Sequence, residues 1–203
     1  MYSCILLKVN QTLLRVFFLL IVTVSATVHG QEKITDISLL NVVDGKNSAL
    51  SSLCKGQYAV VVFSSNKCVY DKYYKDRLAE LINTYQPKGI SFVAINSSVG
   101  VNESVANMKS RTLFFKTGTP YLADEKQEAK NQFGATKTPE AFLIKKQAGG
   151  FVILYKGAID NNPQLATDVK DSYLKTILDE ILAGDPLSWT DTNAVGCMIR
   201  PLP

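Results

Sequence analysis

The chain has 203 residues, of which 46% are hydrophobic and 20% charged, with a formal charge of +4. That length fits one ordinary domain able to bury a core. The small positive excess, scattered among acidic residues, gives no basis for binding nucleic acid or an anionic membrane surface.

The N-terminus reads as a targeting segment. Val16 to Val24 (VFFLLIVTV) is an apolar run preceded by Lys8 and Arg15 and followed by Val28-His29-Gly30. A basic stretch, a short apolar core and a small closing residue are the three parts of a secretory signal peptide. The run is shorter than the ~20 residues that cross a bilayer as a helix. Residues 1–30 are therefore expected to be cleaved near Gly30–Gln31, leaving an exported protein, periplasmic or extracellular, of 173 residues and charge +2. The alternative is an uncleaved anchor over Leu13–Val28, the only membrane contact the sequence offers. No cysteine follows the run, so a lipid-modified cysteine is not expected.

The only histidine, His29, leaves with that segment. Without an imidazole there is no Ser-His-Asp or Cys-His nucleophile pair, and the commonest transition-metal ligand is missing. Three cysteines remain, Cys54, Cys68 and Cys197, with no C-x-x-C and spacings too wide for zinc. The sequence points to no metal and no cofactor. Exported cysteines usually pair, and an odd number leaves at least one thiol over, either free or joined to another protein.

The elements follow in chain order. Ile34, Ile37, Leu39 and Val42 anchor an opening strand or hairpin, with a turn at Asp44–Asn47. Tyr58–Phe63 (YAVVVF) is a buried strand of the kind found inside a parallel sheet. After the polar loop Ser64–Lys67, Cys68 opens a helix whose Tyr70, Tyr74, Leu78, Leu81 and Ile82 share a face, ended by Pro87-Lys88-Gly89. Ile90–Asn96 is a second buried strand, so the two form a parallel βαβ unit. Helices are expected over Val99–Phe115 and Asp124–Phe133. Glu140–Lys145 and Phe151–Tyr155 form a hairpin about Gly149-Gly150, and Ser172–Ala183 is an amphipathic helix closed by Gly184. This order predicts an α/β protein with a thioredoxin-like fold: a central mixed sheet flanked by helices, with an N-terminal extension. The domain spans 31–184, and 185–203 is an extended tail on or near it.

Cys68 lies five residues after Phe63 and begins a helix. Unpaired N–H groups and a partial positive charge at a helix N-terminus favour thiolate over thiol, and Lys67 acts in the same sense. A thiolate is the nucleophile of disulfide exchange and of peroxide reduction. Asp71 would oppose both if its carboxylate faced the sulfur. A cysteine that merely fills a helix start, or sits in an inert disulfide, fits the same pattern. Thr138-Pro139, just before the hairpin strand, is a candidate cis bond.

The segments FSSNKCVYDKYYKDRLAEL, KGISFVAINSS, TPYLADEKQEAKNQFGATKTPEAFLI, YKGAIDNNP and ILAGDPLSW…VGCMIR carry a resemblance over roughly Ile34–Arg200. The chain resembles the redoxin branch of the thioredoxin superfamily, near the alkyl hydroperoxide reductase/thiol-specific antioxidant group and the exported thiol-disulfide oxidoreductases. The resemblance implies that Cys68 is the nucleophile and that a cis Pro139 faces it, with Ser65, Lys67, Thr138 and Pro139 binding substrate. Ser65-x-x-Cys68 is similar to the hydroxyl–cysteine spacing of peroxiredoxins.

Departures from the family pattern are equally plain. Ser65 stands where the first cysteine of F-x-C-N-x-C-P-Y belongs, and Val69 replaces its proline. Lys137 replaces the cysteine of C-T-P, and Asp71 takes the resolving position three after Cys68. A local dithiol cycle is excluded, and the resolving thiol must come from elsewhere. The retained terminal Gly196-Cys197 makes Cys197 the resolving or disulfide partner, as a redox couple or as an inert staple. Cys54, before the Tyr58 strand, is expected at that strand's far end in a structural role.

Arg77 and Arg111 are weaker candidates for stabilising an oxidised thiolate. Tyr70, Tyr73 and Tyr74 read as helix core or groove wall, and the sequons at Asn96 and Asn102 matter only in a eukaryotic secretory pathway. The function expected is an exported thiol redox protein, a thiol-disulfide oxidoreductase or peroxidase-like enzyme. It would act on a protein thiol or disulfide, or on a peroxide, with an unidentified electron donor. The alternative is a non-catalytic module binding a protein partner through the Thr138-Pro139 groove.

Overall fold

Five β-favouring residues and one alanine, Tyr58–Phe63 (YAVVVF), form the strand β4 on which the fold is organised. A computed structural model describes residues 32–101, 103–110 and 118–202. The expected signal segment, Arg111 and Asn102, the first residue of its sequon, lie outside the described residues. Before β4 come β1 (Lys33–Thr35), β2 (Ser38–Asn41), β3 (Lys46–Ala49) and the short helix α1 (Leu50–Leu53). After it come α2 (Val69–Tyr85), β5 (Ser91–Asn96), α3 (Val105–Ser110), β6 (Tyr121–Ala123) and α4 (Glu128–Phe133). The chain continues through β7 (Lys137–Thr138), β8 (Glu140–Gln147), β9 (Gly150–Gly157), α5 (Tyr173–Ala183) and β10 (Cys197–Met198).

Eight strands form one mixed sheet in the order β1-β9-β8-β4-β5-β6-β2-β3. β5 is parallel to β4, with Val61 opposite Val93, and β6 is parallel to β5. β8 is antiparallel to β4, with Val61 opposite Phe142. The two-residue period of β4 feeds two cores. Val60 and Val62 pack under α2 and α5 with Tyr74, Leu78, Ile82, Leu174 and Leu178. Ala59, Val61 and Phe63 face the other layer with Ile34, Leu50, Phe133 and Phe142. There Phe63, Phe133 and Phe142 meet edge to face at centroid distances of 5.2–5.4 Å. Removing one such buried ring costs about 3–5 kcal/mol. This is the expected thioredoxin-like arrangement of a mixed sheet between helical layers.

Several local expectations change. The hairpin turn lies at residues 42–45, so β3 begins where the turn was read. The helix expected over Val99–Phe115 is described only at Val105–Ser110; Val99 instead makes a ladder contact with Glu103, and residues 111–117 lie outside the described residues. The helix expected from Asp124 starts at Glu128, after Gln127 in the left-handed region as its N-cap; the Asp124 carboxylate accepts from Ala129 N and Lys130 N at 3.1 and 2.9 Å and so satisfies two amides of the first turn. β6, which the sequence pattern did not reveal, supplies three buried residues between these segments. On α2 the buried face includes Asp71 and Tyr85, whereas Tyr70 is only half-buried.

The tail after α5 lies against the domain. Trp189 meets Tyr173 edge to face at 5.1 Å. Lys156 N donates to Thr190 O, and Thr192 N to Lys156 O. Beyond them, Ala194 and Ile199 are buried.

Candidate functional site

The site forms where β4 ends. Ser64 N donates to Ile95 O at 2.8 Å, the last bond between the two central strands, and the chain then loops through Ser65–Lys67. Cys68 has extended backbone angles (φ −78°, ψ 127°) and is the N-cap of α2, without a side-chain cap bond. Its amide donates to Ser65 O at 3.2 Å. The cysteine thus sits at the electropositive end of a 17-residue helix, as expected from the sequence.

Cys68 and Cys197 are joined by a disulfide. Cys197 reaches Cys68 because β10 pairs antiparallel with β7, placing Cys197 opposite Thr138 and Met198 opposite Lys137. Ile199 N donates to Thr136 O at 2.9 Å. Thr138-Pro139 is cis, and Thr138 O lies 3.1 Å from Cys68 Sγ. A disulfide sulfur has no proton to give, so this is a close sulfur–carbonyl contact; a Cys68 thiol could donate across it.

A set of buried polar groups frames the loop. Glu103 sits against it: the Ser65 hydroxyl donates to Glu103, Asn66 N donates to Oε2 at 3.2 Å and Lys67 N to Oε1 at 3.4 Å. Asn96 Nδ2 donates to the same carboxylate at 3.1 Å. The Tyr121 hydroxyl donates to Asn66 Oδ1 at 3.3 Å, its own proton held by burial first and by the Glu103 charge second. On the other side of the loop, Ser65 N donates to Asp71 Oδ2 at 3.3 Å, while Asp71 Oδ1 has no hydrogen-bond partner. Asp71 is 1% exposed. Burial raises its pKa to about 7, against the Ser64 hydroxyl, the Ser65 amide and the Thr138 hydroxyl, with the Glu103 charge adding to the rise. Asp71 therefore changes charge near neutral pH on the first turn of the helix that carries Cys68.

The approach to Pro139 is also held by side chains. Glu140 Oε2 accepts from Thr136 N at 2.8 Å and from Lys137 N at 3.1 Å. Lys137, at the position of the family's missing cysteine, donates from Nζ to Ala194 O of the tail at 2.7 Å. Gln127 Nε2 donates to both Ser97 O (2.9 Å) and Arg200 O (2.7 Å), so it ties the tail to the loop after β5. Gln127 is the only non-glycine with positive φ (55°) among the described residues, a conformation that costs free energy and persists where surroundings impose it.

Ser65, Lys67, Cys68, Thr138 and Cys197 line one open cleft of about 300 Å³, with Met198 and Arg200 on its tail side. The expected site residues thus meet in one place. Pro139 is buried beside Thr138. Lys67 is exposed and contributes a backbone donor to Glu103. Arg77 is not at the site: it pairs with Asp160 at 2.5 Å, donates to Asn162 O and Pro163 O, and stacks over Tyr74 at 3.9 Å. It pins the loop after β9 to α2. Cys54 is free and buried at the far end of β4, as read from the sequence; burial, then Asp36, push its thiol to about 12 against Lys146. Glu103, Gln127 and Glu140 were not singled out from the sequence. Only Glu140, a charged residue opening an apolar strand, carried a local signal.

The AhpC/TSA family model matches residues 31–157. No curated protein matches the chain. Among solved structures, an uncharacterized conserved protein from Geobacillus kaustophilus is similar, with 30% identity and a TM-score of 0.75 over 85% of this chain and 92% of that one. A hypothetical protein from Sinorhizobium meliloti has 26% identity and a TM-score of 0.73 over 85% and 94%. The exposed lipoprotein thioredoxin of Streptococcus pneumoniae, at 21% identity and a TM-score of 0.53 over 71% and 98%, shares the fold. Among the described residues, no helix is long and apolar enough to cross a membrane.

Proposed function

The chain belongs to the AhpC/TSA family, and we propose that within it this protein is an exported thiol–disulfide exchange protein whose redox couple is Cys68–Cys197. The observation that carries the reading is the disulfide between a helix N-cap cysteine and a tail strand paired beside a cis proline. The helix terminus favours the Cys68 thiolate, and β10 holds Cys197 within bonding reach of it. Cys197 replaces the local resolving cysteine, whose place on α2 is taken by Asp71.

The same geometry favours exchange over peroxide reduction. A peroxide oxygen beside Cys68 needs hydrogen-bond donors, yet the Ser65 hydroxyl and the Asn66 and Lys67 amides all point to Glu103. The partner class is then a protein thiol or disulfide. Export rests on the signal-like run before Gly30.

The test is reduction of a protein disulfide driven by a small dithiol, with wild type, Cys68→Ser and Cys197→Ser compared. The reading expects turnover by the wild type, none above background for Cys68→Ser, and a trapped Cys68 mixed disulfide for Cys197→Ser. Turnover at background by both wild type and Cys68→Ser would sink it and leave a non-catalytic binding module, and equal turnover above background would sink the role of Cys68.

A further inference from the structure

Over residues 194–200, the hydrogen bonds that the described domain makes to the tail go to its backbone. Lys137 Nζ meets Ala194 O, Gln127 Nε2 meets Arg200 O, Thr136 O receives Ile199 N, and β7 pairs with β10. Main-chain recognition of this kind does not read side chains, so any extended segment in this register receives the same bonds. Selection is left to the side-chain positions, and these differ sharply.

Gly196, just before the cysteine, has no room for a side chain. A Cβ there would lie 2.2 Å from Thr138 O, 2.7 Å from Thr138 C and 3.2 Å from Pro139 N. All three are backbone atoms of the segment entering the cis bond, so the neighbour cannot rotate away. The φ of Gly196 is not in the left-handed range, so contact alone excludes larger residues. Met198, after the cysteine, is 67% exposed and meets no such limit. Ile199 is 4% exposed and packs in the core layer of Phe63, Phe133 and Phe142.

We propose that the tail strand is the resident occupant of the edge at which a partner's segment pairs, and that the Thr138 carbonyl restricts this edge to partner segments of the form glycine–cysteine–any residue–apolar residue. The proposal rests on the exchange function above. In the reduced protein, the Cys68 thiolate attacks the sulfur of the partner's glycine-preceded cysteine. A Cys68–partner S–S bond forms and the partner's own disulfide breaks, its second sulfur leaving as a thiolate that takes a proton from water. The Cys197 thiolate then attacks Cys68 Sγ and expels the partner's thiolate, and β10 returns to β7. Two electrons pass from the protein dithiol to the partner disulfide.

The experiment uses the reduced full-length protein and peptides spanning Ala194–Arg200 (AVGCMIR), each with its cysteine capped as a mixed disulfide with nitrothiobenzoate. Release of coloured nitrothiobenzoate reads the attack, and the rate of each peptide is divided by its rate with free cysteine. The glycine peptide should react faster than its alanine counterpart by about tenfold or more. Replacing the isoleucine with aspartate should slow it comparably, and replacing the methionine with lysine should leave it within about twofold. The same peptides with Cys197→Ser, where the mixed disulfide accumulates, should give the same ranking by mass. Equal normalised rates for the glycine and alanine peptides overturn the selectivity while leaving exchange at Cys68 intact. No release from any peptide, or from capped cysteine itself, overturns the selectivity and the exchange reading together.

Discussion

Cys68 and Cys54 are equally buried, each 2% exposed, and they flank the two ends of the same strand, β4. Their surroundings differ. Cys54 lies among Leu50, Ala59 and Ile144, and burial pushes its thiol to about 12, leaving almost no thiolate at neutral pH. Cys68 lies at the mouth of α2, against the Thr138 carbonyl and beside two buried carboxyls, and it is bonded to a strand recruited from the end of the chain. Burial alone makes a thiol inert; at Cys68 a helix terminus, a polar frame and a tethered second sulfur are added to it.

The largest effect should separate the two cysteines directly. Cys68→Ser should lower protein-disulfide reduction to the uncatalysed background. Cys54→Ala should keep the rate within about twofold and cost about 1 kcal/mol of stability, as a small loss in an apolar core does. If both variants lost activity together through unfolding, seen as coincident loss of near-UV signal, the contrast would be void.

Next in size is the stability held by the tail bond. Cys68 and Cys197 are 129 residues apart, and a bond closing so long a loop is worth about 2–5 kcal/mol. Cys197→Ser should lower the urea unfolding free energy by that amount, and wild type under reducing conditions should match it. An unchanged midpoint would show that the tail contributes nothing to the folded domain.

Asp71 gives a comparable effect that depends on pH. Its folded pKa, about 7, lies above the ordinary 3.8, so the folded state holds the proton more tightly than the unfolded chain. The contribution of Asp71 to stability is then fully present below pH 4, is lost as pH rises from about 4 to 7 and is level above that. The full difference is at most roughly 4 kcal/mol. Asp71→Asn keeps the shape without the charge, so its advantage over wild type should grow from pH 4 to pH 7 and then stop. A pH-independent difference would mean that Asp71 is not the group penalised.

How far this contrast was legible in the sequence depends on distance along the chain. The strand, loop and helix that present Cys68 are local: YAVVVF has the composition of a buried strand, and the apolar spacing after Cys68 is helical. The same locality made Cys54 readable as structural. The polar frame is not local. Glu103 reaches the loop across 36–38 residues, and Gln127 clasps Arg200 across 73. Neither has a periodicity that would mark it. Asp71 stood out as a departure from the family pattern, but its burial against the Ser64–Ser65 loop and Thr138 comes from segments up to 67 residues away in sequence. Gly196 was visible as a partner to Cys197, whereas its reason, the Thr138 backbone against its Cα, exists only once β10 meets β7.

The smallest effect concerns Lys137. Its bond to Ala194 O helps hold Cys197 near Cys68 and should contribute about 1 kcal/mol. Lys137→Ala should make the disulfide easier to reduce by about 20 mV. The corresponding surface change Lys146→Ala, at the Cys54 end, should leave it unmoved.

The central claim, that Cys68–Cys197 is a working couple, is tested most directly by equilibrating the folded full-length protein in graded glutathione and dithiol buffers, trapping thiols by alkylation and reading their number by mass. The account predicts that the disulfide opens and recloses reversibly while the domain stays folded, at a potential between about −180 and −300 mV, where exchange proteins operate. A disulfide that stays closed below about −300 mV, or opens only on unfolding, would make it a structural staple and contradict the account.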